Sequence, residues 1–161
     1  MTKNMVLTRT FDAPLEKVWQ AWSDAELVKQ WWGPQGFTCP VADMDFREGG
    51  TSLVCMRAPA EYGGQDMYNT WTYTKIMPMQ RIEFVQHFTD ADRNRLNPAS
   101  LGLPPDIPAE VPHVLEFRRL DDGRTEFTVT EYGYGSDQTV EMSKGGMNQC
   151  LDKMAALVES H

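Results

Sequence analysis

Between Phe37 and Tyr132 the chain reads as a succession of strand-like runs separated by turns, and one long helical pattern follows them. The runs are Phe37 to Phe46, Thr51 to Arg57, Asp66 to Met77, Arg81 to Phe88, His113 to Leu120 and Arg124 to Tyr132. They are rich in Thr, Val, Tyr, Phe and Trp, which fit a pleated, half-buried surface. The breaks carry turn chemistry, at Glu48-Gly49-Gly50, Pro78-Met79-Gln80 and Asp121-Asp122-Gly123. The last of these closes a hairpin. Strand runs bracketed by helices predict an α+β fold with a mostly antiparallel sheet.

The brackets are equally legible. Asn4 to Phe11 alternates as a first strand and is stopped by Asp12-Ala13-Pro14. Asp12 suits an N-cap and Pro14 the first turn of a helix. Leu15, Val18, Trp19 and Trp22 then recur at spacings of three and four, an amphipathic stripe that must lie on a core. A second short helix, capped by Ser23 or Asp24, offers Leu27, Val28 and Trp31 and ends at Gly33-Pro34. The final helix, capped by Ser136 or Asp137, presents Val140, Met147, Leu151, Met154 and Val158 on one side. Gly145-Gly146 inside it costs about 1 kcal/mol per residue relative to Ala. The pair points either to close approach by another group or to a kink. A sheet bent around one helix leaves a groove or cavity between them.

With 161 residues, 41% of them hydrophobic and 24% charged, the chain suits one domain over residues 1–161 and neither disorder nor coiled coil. Its apolar runs are too short to span a bilayer. The N-terminus lacks an apolar signal region, so the cytoplasm is the expected location. Cys39, Cys55 and Cys150 are widely spaced and odd in number, the pattern of reduced packing residues. A net charge of −8 repels nucleic acid and anionic membrane, so neither is an expected partner.

Several motifs together resemble the START-like SRPBCC superfamily, and within it the branch named after activators of the heat-shock protein 90 ATPase. They are Arg9-Thr10-Phe11-Asp12-Ala13-Pro14, Val18-Trp19-Gln20-Ala21-Trp22, Trp31-Trp32-Gly33-Pro34 and Asp45-Phe46-Arg47-Glu48-Gly49-Gly50. Ile76-Met77-Pro78, Arg81-Ile82-Glu83-Phe84, Gly123 to Thr130 and the helix with Gly146 and Leu151 continue the match. The resemblance covers nearly all of the chain except Thr89 to Pro112. It implies a helix-grip fold: a curved antiparallel sheet of six or seven strands around a long C-terminal helix, with two short helices after the first strand. It also implies a cavity between sheet and helix that takes hydrophobic molecules. Two positions depart from the pattern. Gly146-Met147 stands where the branch often has Gly-Trp, which makes the wall softer, and Glu131 stands where it often has His.

Strand alternation sorts the candidate site residues. Glu131 shares a face with Phe127 and Val129, and His113 with Leu115 and Phe117, whereas His87 shares one with Val85. Glu131 and His113 are therefore the candidates for acid–base chemistry, with a carboxylate pKa raised by apolar neighbours. Trp32, Met56, Trp71, Tyr73, His87, Phe117, Glu131, Met147 and Leu151 are the expected ligand-binding residues, a mainly aromatic and aliphatic set. Of the adjacent Trp31 and Trp32, one belongs in the core and the other at the cavity mouth. His87, His113 and Glu131 lack a ligand-spacing motif, so no metal is expected. Without a P-loop, a dinucleotide fingerprint or a nucleophile elbow, no cofactor is expected either. The expected function is binding of a hydrophobic or amphipathic small molecule. The alternatives are an enzyme of cyclase, dehydratase or hydrolase type and a chaperone-associated interaction domain. The Pro-rich stretch Thr89 to Pro112 is expected to be mobile, as a lid or as the contact of a homodimer.

Overall fold

The computed structural model describes residues 2–160. Strand β1 (Lys3–Phe11) leads into helices α1 (Leu15–Ser23) and α2 (Ala25–Trp31). Strands β2 (Thr38–Asp43), β3 (Thr51–Arg57), β4 (Asp66–Met77), β5 (Arg81–Thr89), β6 (Glu110–Arg119) and β7 (Thr125–Tyr134) follow, and helix α3 (Asp137–Val158) closes the chain. The seven strands form one antiparallel sheet in the order β1-β7-β6-β5-β4-β3-β2. This is the curved sheet and long helix of the helix-grip fold.

Local chemistry explains most boundaries, including those that differ from expectation. Asp12 does not cap α1. Pro14 occupies the N-cap position without a side-chain bond, and the Asp12 N–H instead donates to Glu159 Oε2 at the far end of α3. Asp24 caps α2 by accepting from the N–H groups of Glu26 and Leu27, and Ser136 caps α3 by accepting from Thr139 N–H. Strand β2 ends at Asp43, short of its expected run, and holds Pro40 at a register shift between Thr38 and Val41. A proline lacks a ladder donor and is tolerated on such an edge strand. Strand β6 starts earlier than expected, with Pro112 inside it and paired to Val85. The β6–β7 register ends at His113–Glu131, so Pro112 lies beyond that ladder and its missing N–H costs it nothing.

Helix α3 lies across the concave face. Met147, Leu151, Met154 and Val158 are buried, and Thr139 and Cys150 join them. Charged tethers fix its pitch. Arg9 on β1 pairs with Asp152 at 2.7 Å and donates to Asn148 Oδ1. The Lys153 ammonium donates to the carbonyls of Gly33 and Phe37, stitching the end of α2 to α3. Nothing packs close to Gly145 or Gly146, since a Cβ built at either position meets no atom within 4 Å. Of the two readings of the pair, close approach by another group is therefore absent.

The register divides the concave face into two zones. At one end Leu7, Val129, Leu115 and Ile82 form a row across four strands, with Phe117 opposite Phe127 beside it. Helix α1 seals this zone, with Trp19 edge-on to Phe117 at 5.0 Å and Trp22 stacked on Phe127 at 5.5 Å. The other zone lies beyond the reach of α1.

Candidate functional site

The boundary between the zones is one row of side chains: Tyr73, Phe84, His113, Glu131 and Met5, each opposite the next on the neighbouring strand. Its centre is polar and buried. His113 Nε2 lies 3.2 Å from Glu131 Oε2, with both side chains 5% exposed or less. His113 Nδ1 lies 2.9 Å from the Val111 carbonyl, and the ring stacks on Phe84 at 4.6 Å. Both ring nitrogens thus lie within hydrogen-bond distance of an oxygen acceptor. Glu131 Oε1 accepts from Tyr134 at 2.5 Å and from Ser143 of α3 at 2.5 Å.

These contacts decide the charge of the carboxyl. Burial pushes the Glu131 pKa up, but the His113 charge and the bonds from His113, Ser143 and Tyr134 outweigh it and hold the pKa below its ordinary value. The expected upward shift is therefore reversed, because the apolar setting contains three donors aimed at the carboxylate. Burial and the Glu131 charge push the Tyr134 hydroxyl up, which keeps it a donor.

Beyond this row, between α3 and the sheet, lies a cavity of about 170 Å³. Strands β3, β4 and β5 contribute Met56, Met67, Asn69, Gln86 and Phe88, and the end of α2 contributes Trp32. Met142, Ser143, Gly146, Met147 and Cys150 of α3 form the facing wall. Glu131 and Tyr134 close the inner end, and Leu103 and Ile107 from the segment between β5 and β6 lie over it. Two wall atoms are buried without a hydrogen-bond partner, Trp32 Nε1 and Asn69 Oδ1. Trp22 Nε1 and Trp71 Nε1 are also unpaired, but they sit in the aromatic packing around α1. A groove lined by Phe37, Tyr62 and Leu101 adjoins the cavity and shares Met56 and Met67 with it, so two flexible side chains partition cavity from surface. Burial lifts the Cys150 thiol to about 11, which leaves it an inert wall group.

Of the residues expected to bind ligand, the fold brings Trp32, Met56, Glu131 and Met147 together around this cavity. The other five lie elsewhere. Trp71 is wedged between Trp32, Phe84 and Trp22, and the Tyr73 hydroxyl bonds Ser52 at 2.9 Å. Phe117 lies under Trp19, and Leu151 is fully buried in the core. His87 occupies the opposite sheet face from Phe84 and His113, three residues along an unbroken register. There its Nε2 lies 3.2 Å from Glu110 Oε1, off the direction of a hydrogen bond. His87, His113 and Glu131 therefore cannot share one ion, and no group of three His, Cys, Asp or Glu among the described residues could hold a metal. Trp31 takes the core position, donating from Nε1 to the Ala21 carbonyl at 2.7 Å. Asn69 and Met67 were accessible to the same reasoning that named Trp71, since they follow its face at steps of two. Leu103 and Ile107 carry no periodic signal.

No curated protein matches the chain. Solved structures do. A protein from Chromobacterium violaceum is 28% identical, with 98% of each chain covered and a TM-score of 0.79. One from Staphylococcus epidermidis is 25% identical, covering 98% of this chain and 92% of that one, with a TM-score of 0.77. The AHSA1 protein from Silicibacter pomeroyi shares the fold at 23% identity, with 98% of each chain covered and a TM-score of 0.76. The family model described as Activator of Hsp90 ATPase homolog 1-like protein matches residues 12–159. That match spans both short helices, six of the seven strands and the helix that walls the cavity, and the chain belongs to the Activator of Hsp90 ATPase homolog 1-like family.

Proposed function

We propose that the protein binds a hydrophobic or amphipathic small molecule in the cavity between α3 and the sheet. The observation that carries this reading is the cavity at Gly146. The wall there has no side chain, and a Cβ would meet open space. An unfilled apolar volume costs stability, at roughly 24 cal/mol per Å³ in reference core mutants, and the helix adds the cost of a glycine. Use by a ligand accounts for keeping both. Titration with an environment-sensitive hydrophobic dye should give saturable binding, which Gly146→Leu should weaken at least tenfold while folding is preserved. Gly145→Ala on the exposed neighbouring position should leave binding unchanged. Equal binding by Gly146→Leu would reject the site. Native mass spectrometry of the freshly purified protein reads both a retained ligand and the subunit count, and so also tests the homodimer.

A second reading, catalysis by Glu131, is favoured by one observation: its buried carboxylate borders the cavity with His113 behind it. The three bonds it already accepts weaken it as a base, so binding is preferred. Turnover of any bound compound that is lost in Glu131→Gln would reverse that preference. The chaperone reading rests on the family description, and direct binding to the chaperone tests it.

A further inference from the structure

The cavity continues past its outer end. There Met56 and Met67 stand opposite each other on β3 and β4, one step before the last pair of that register, Arg57 with Asp66. By alternation Met67 shares the face of Asn69 and Trp71, so the methionine pair belongs to the concave floor. Both residues are half-buried. Both line the cavity and also a groove of about 670 Å³ outside it. The groove is bounded by Phe37, by Ala58, Tyr62 and Gln65 of the β3–β4 connection, and by Leu101. One cover serves both spaces, since Leu101 lines the groove and Leu103, two residues on, lines the cavity. A neck floored by two methionines yields easily, because the thioether side chain is unbranched and has three rotatable bonds. Phe37, Tyr62 and Leu101 keep apolar surface open to water there, as ligand-binding grooves do.

Charge and length narrow the occupant. Among the described residues no Lys or Arg lines either space, so an anion would find no countercharge. The Lys153 ammonium, which reaches the Phe37 carbonyl, is held there and at the Gly33 carbonyl. The two carboxylates in the walls are already matched. Asp66 accepts from Arg57 at 2.7 and 3.1 Å, and Glu131 is satisfied by His113, Tyr134 and Ser143. A cation would have to compete with these partners. The occupant is therefore uncharged. The cavity alone, at about 170 Å³, is close to the roughly 150 Å³ that accommodates benzene, room for about six carbons. A longer apolar molecule must pass the neck, and a flexible chain passes where a rigid ring system would have to widen it. Gln65 and the 70% exposed Tyr62 offer polar groups in the groove, where a polar head stays in contact with water.

Building on the proposed binding function, we infer that cavity and groove form one site for an uncharged single-chain amphiphile, a ligand of the long-chain alcohol class. The end of its chain fills the cavity beside Gly146, the chain crosses the neck over Met56 and Met67, and the polar head lies in the groove. The test is calorimetric titration of the intact protein with the straight-chain alcohols hexanol, octanol and decanol and with decanoate, alongside the hydrophobic dye. Decanol should bind at one to one. Affinity should rise about fourfold per added methylene, the increment of a buried CH₂, and should keep rising from hexanol to decanol. Decanoate should bind about tenfold more weakly than decanol or not at all, since its charge meets no partner. Tyr62→Asp, at an exposed position, should weaken decanol about tenfold by setting a charge beside the chain, and should leave hexanol unchanged. Gly146→Leu should weaken both alcohols. Thermal melting of each variant first establishes folding. A gain that stops at hexanol would confine the ligand to the cavity and overturn the inference. So would decanoate binding as tightly as decanol, decanol affinity that survives either variant, or hexanol losing as much as decanol in Tyr62→Asp. In each of those cases dye binding that Gly146→Leu weakens leaves the binding function standing. Failure of every probe, dye included, would instead reject the binding function itself.

Discussion

Burial by itself would drive the Glu131 carboxyl toward its neutral form, and the side chains around it drive it the other way. Its folded pKa lies below the ordinary value of 4.5, so the unfolded chain binds the proton more readily. The resulting stability is complete above about pH 4.5 and is lost as pH falls through the lower folded value. Urea denaturation at pH 6 and pH 3 should therefore show a steeper loss for the wild type than for Glu131→Gln. Other carboxylates held low by their own partners, such as Asp66 and Asp106, are present in both proteins and cancel in the comparison. At neutral pH the same substitution removes the carboxylate that faces His113 Nε2. Removing one partner of a buried pair costs roughly 3–5 kcal/mol, an upper bound here because the glutamine still fills the site and can hydrogen-bond. Identical pH slopes for the two proteins would mean that the Glu131 pKa does not change on folding.

Helix α3 is a single element with two tasks divided along its length. Its C-terminal half is core: Leu151 and Met154 are completely buried and Val158 nearly so. Its N-terminal half, from Met142 to Cys150, is one wall of the cavity. Substitutions in the two halves should accordingly separate stability from binding. Met154→Asp places a charge where no partner exists and should cost roughly 4 kcal/mol, read as a lowered urea midpoint. Retention of wild-type stability would contradict the packing of this half. Gly146→Leu, in the other half, should act on binding with little loss of stability.

At the scale of the whole molecule, the connection between β5 and β6 links surface to cavity. It is not an untethered loop. Arg93 pairs with Asp43 at 2.8 Å, and a short 3-10 turn spans Pro98–Leu101. Asp106 accepts from the hydroxyls of Ser136 and Thr139 at the start of α3, where a carboxylate also complements the helix dipole. Leu103 and Ile107 flank that anchor and cover the cavity. Asp106→Ala should cost about 1 kcal/mol, as a lost capping interaction does. It should also speed amide hydrogen exchange across residues 98–109 and accelerate dye entry. Unchanged exchange would show that other contacts hold the cover in place.

The sequence by itself determined the elements and their faces. Period-two runs and turn residues specify the strands, and spacings of three and four specify the helices, because side-chain direction follows directly from backbone geometry. That is why the pairing of His113 with Glu131 was legible: both face inward by parity, and the register sets them opposite each other. The start of β6 was less legible, because its Pro112 is accommodated inside the strand. The location of the cavity was decided only by the tertiary structure. Parity places Trp71, Tyr73, Phe117, Asn69 and Gln86 on one face of the sheet, but it does not say where along the strands α1 stops covering them. The indoles of Trp19, Trp22 and Trp31 fill one end and bury the aromatic candidates as core. At the other end Asn69, Gln86 and Trp32 line the cavity instead. The charge of Glu131 was likewise a tertiary outcome, because Ser143 reaches it from α3 and Tyr134 reaches it across the register shift opposite Lys3 and Met5. Local sequence fixes which way a side chain points, and only packing fixes what it meets.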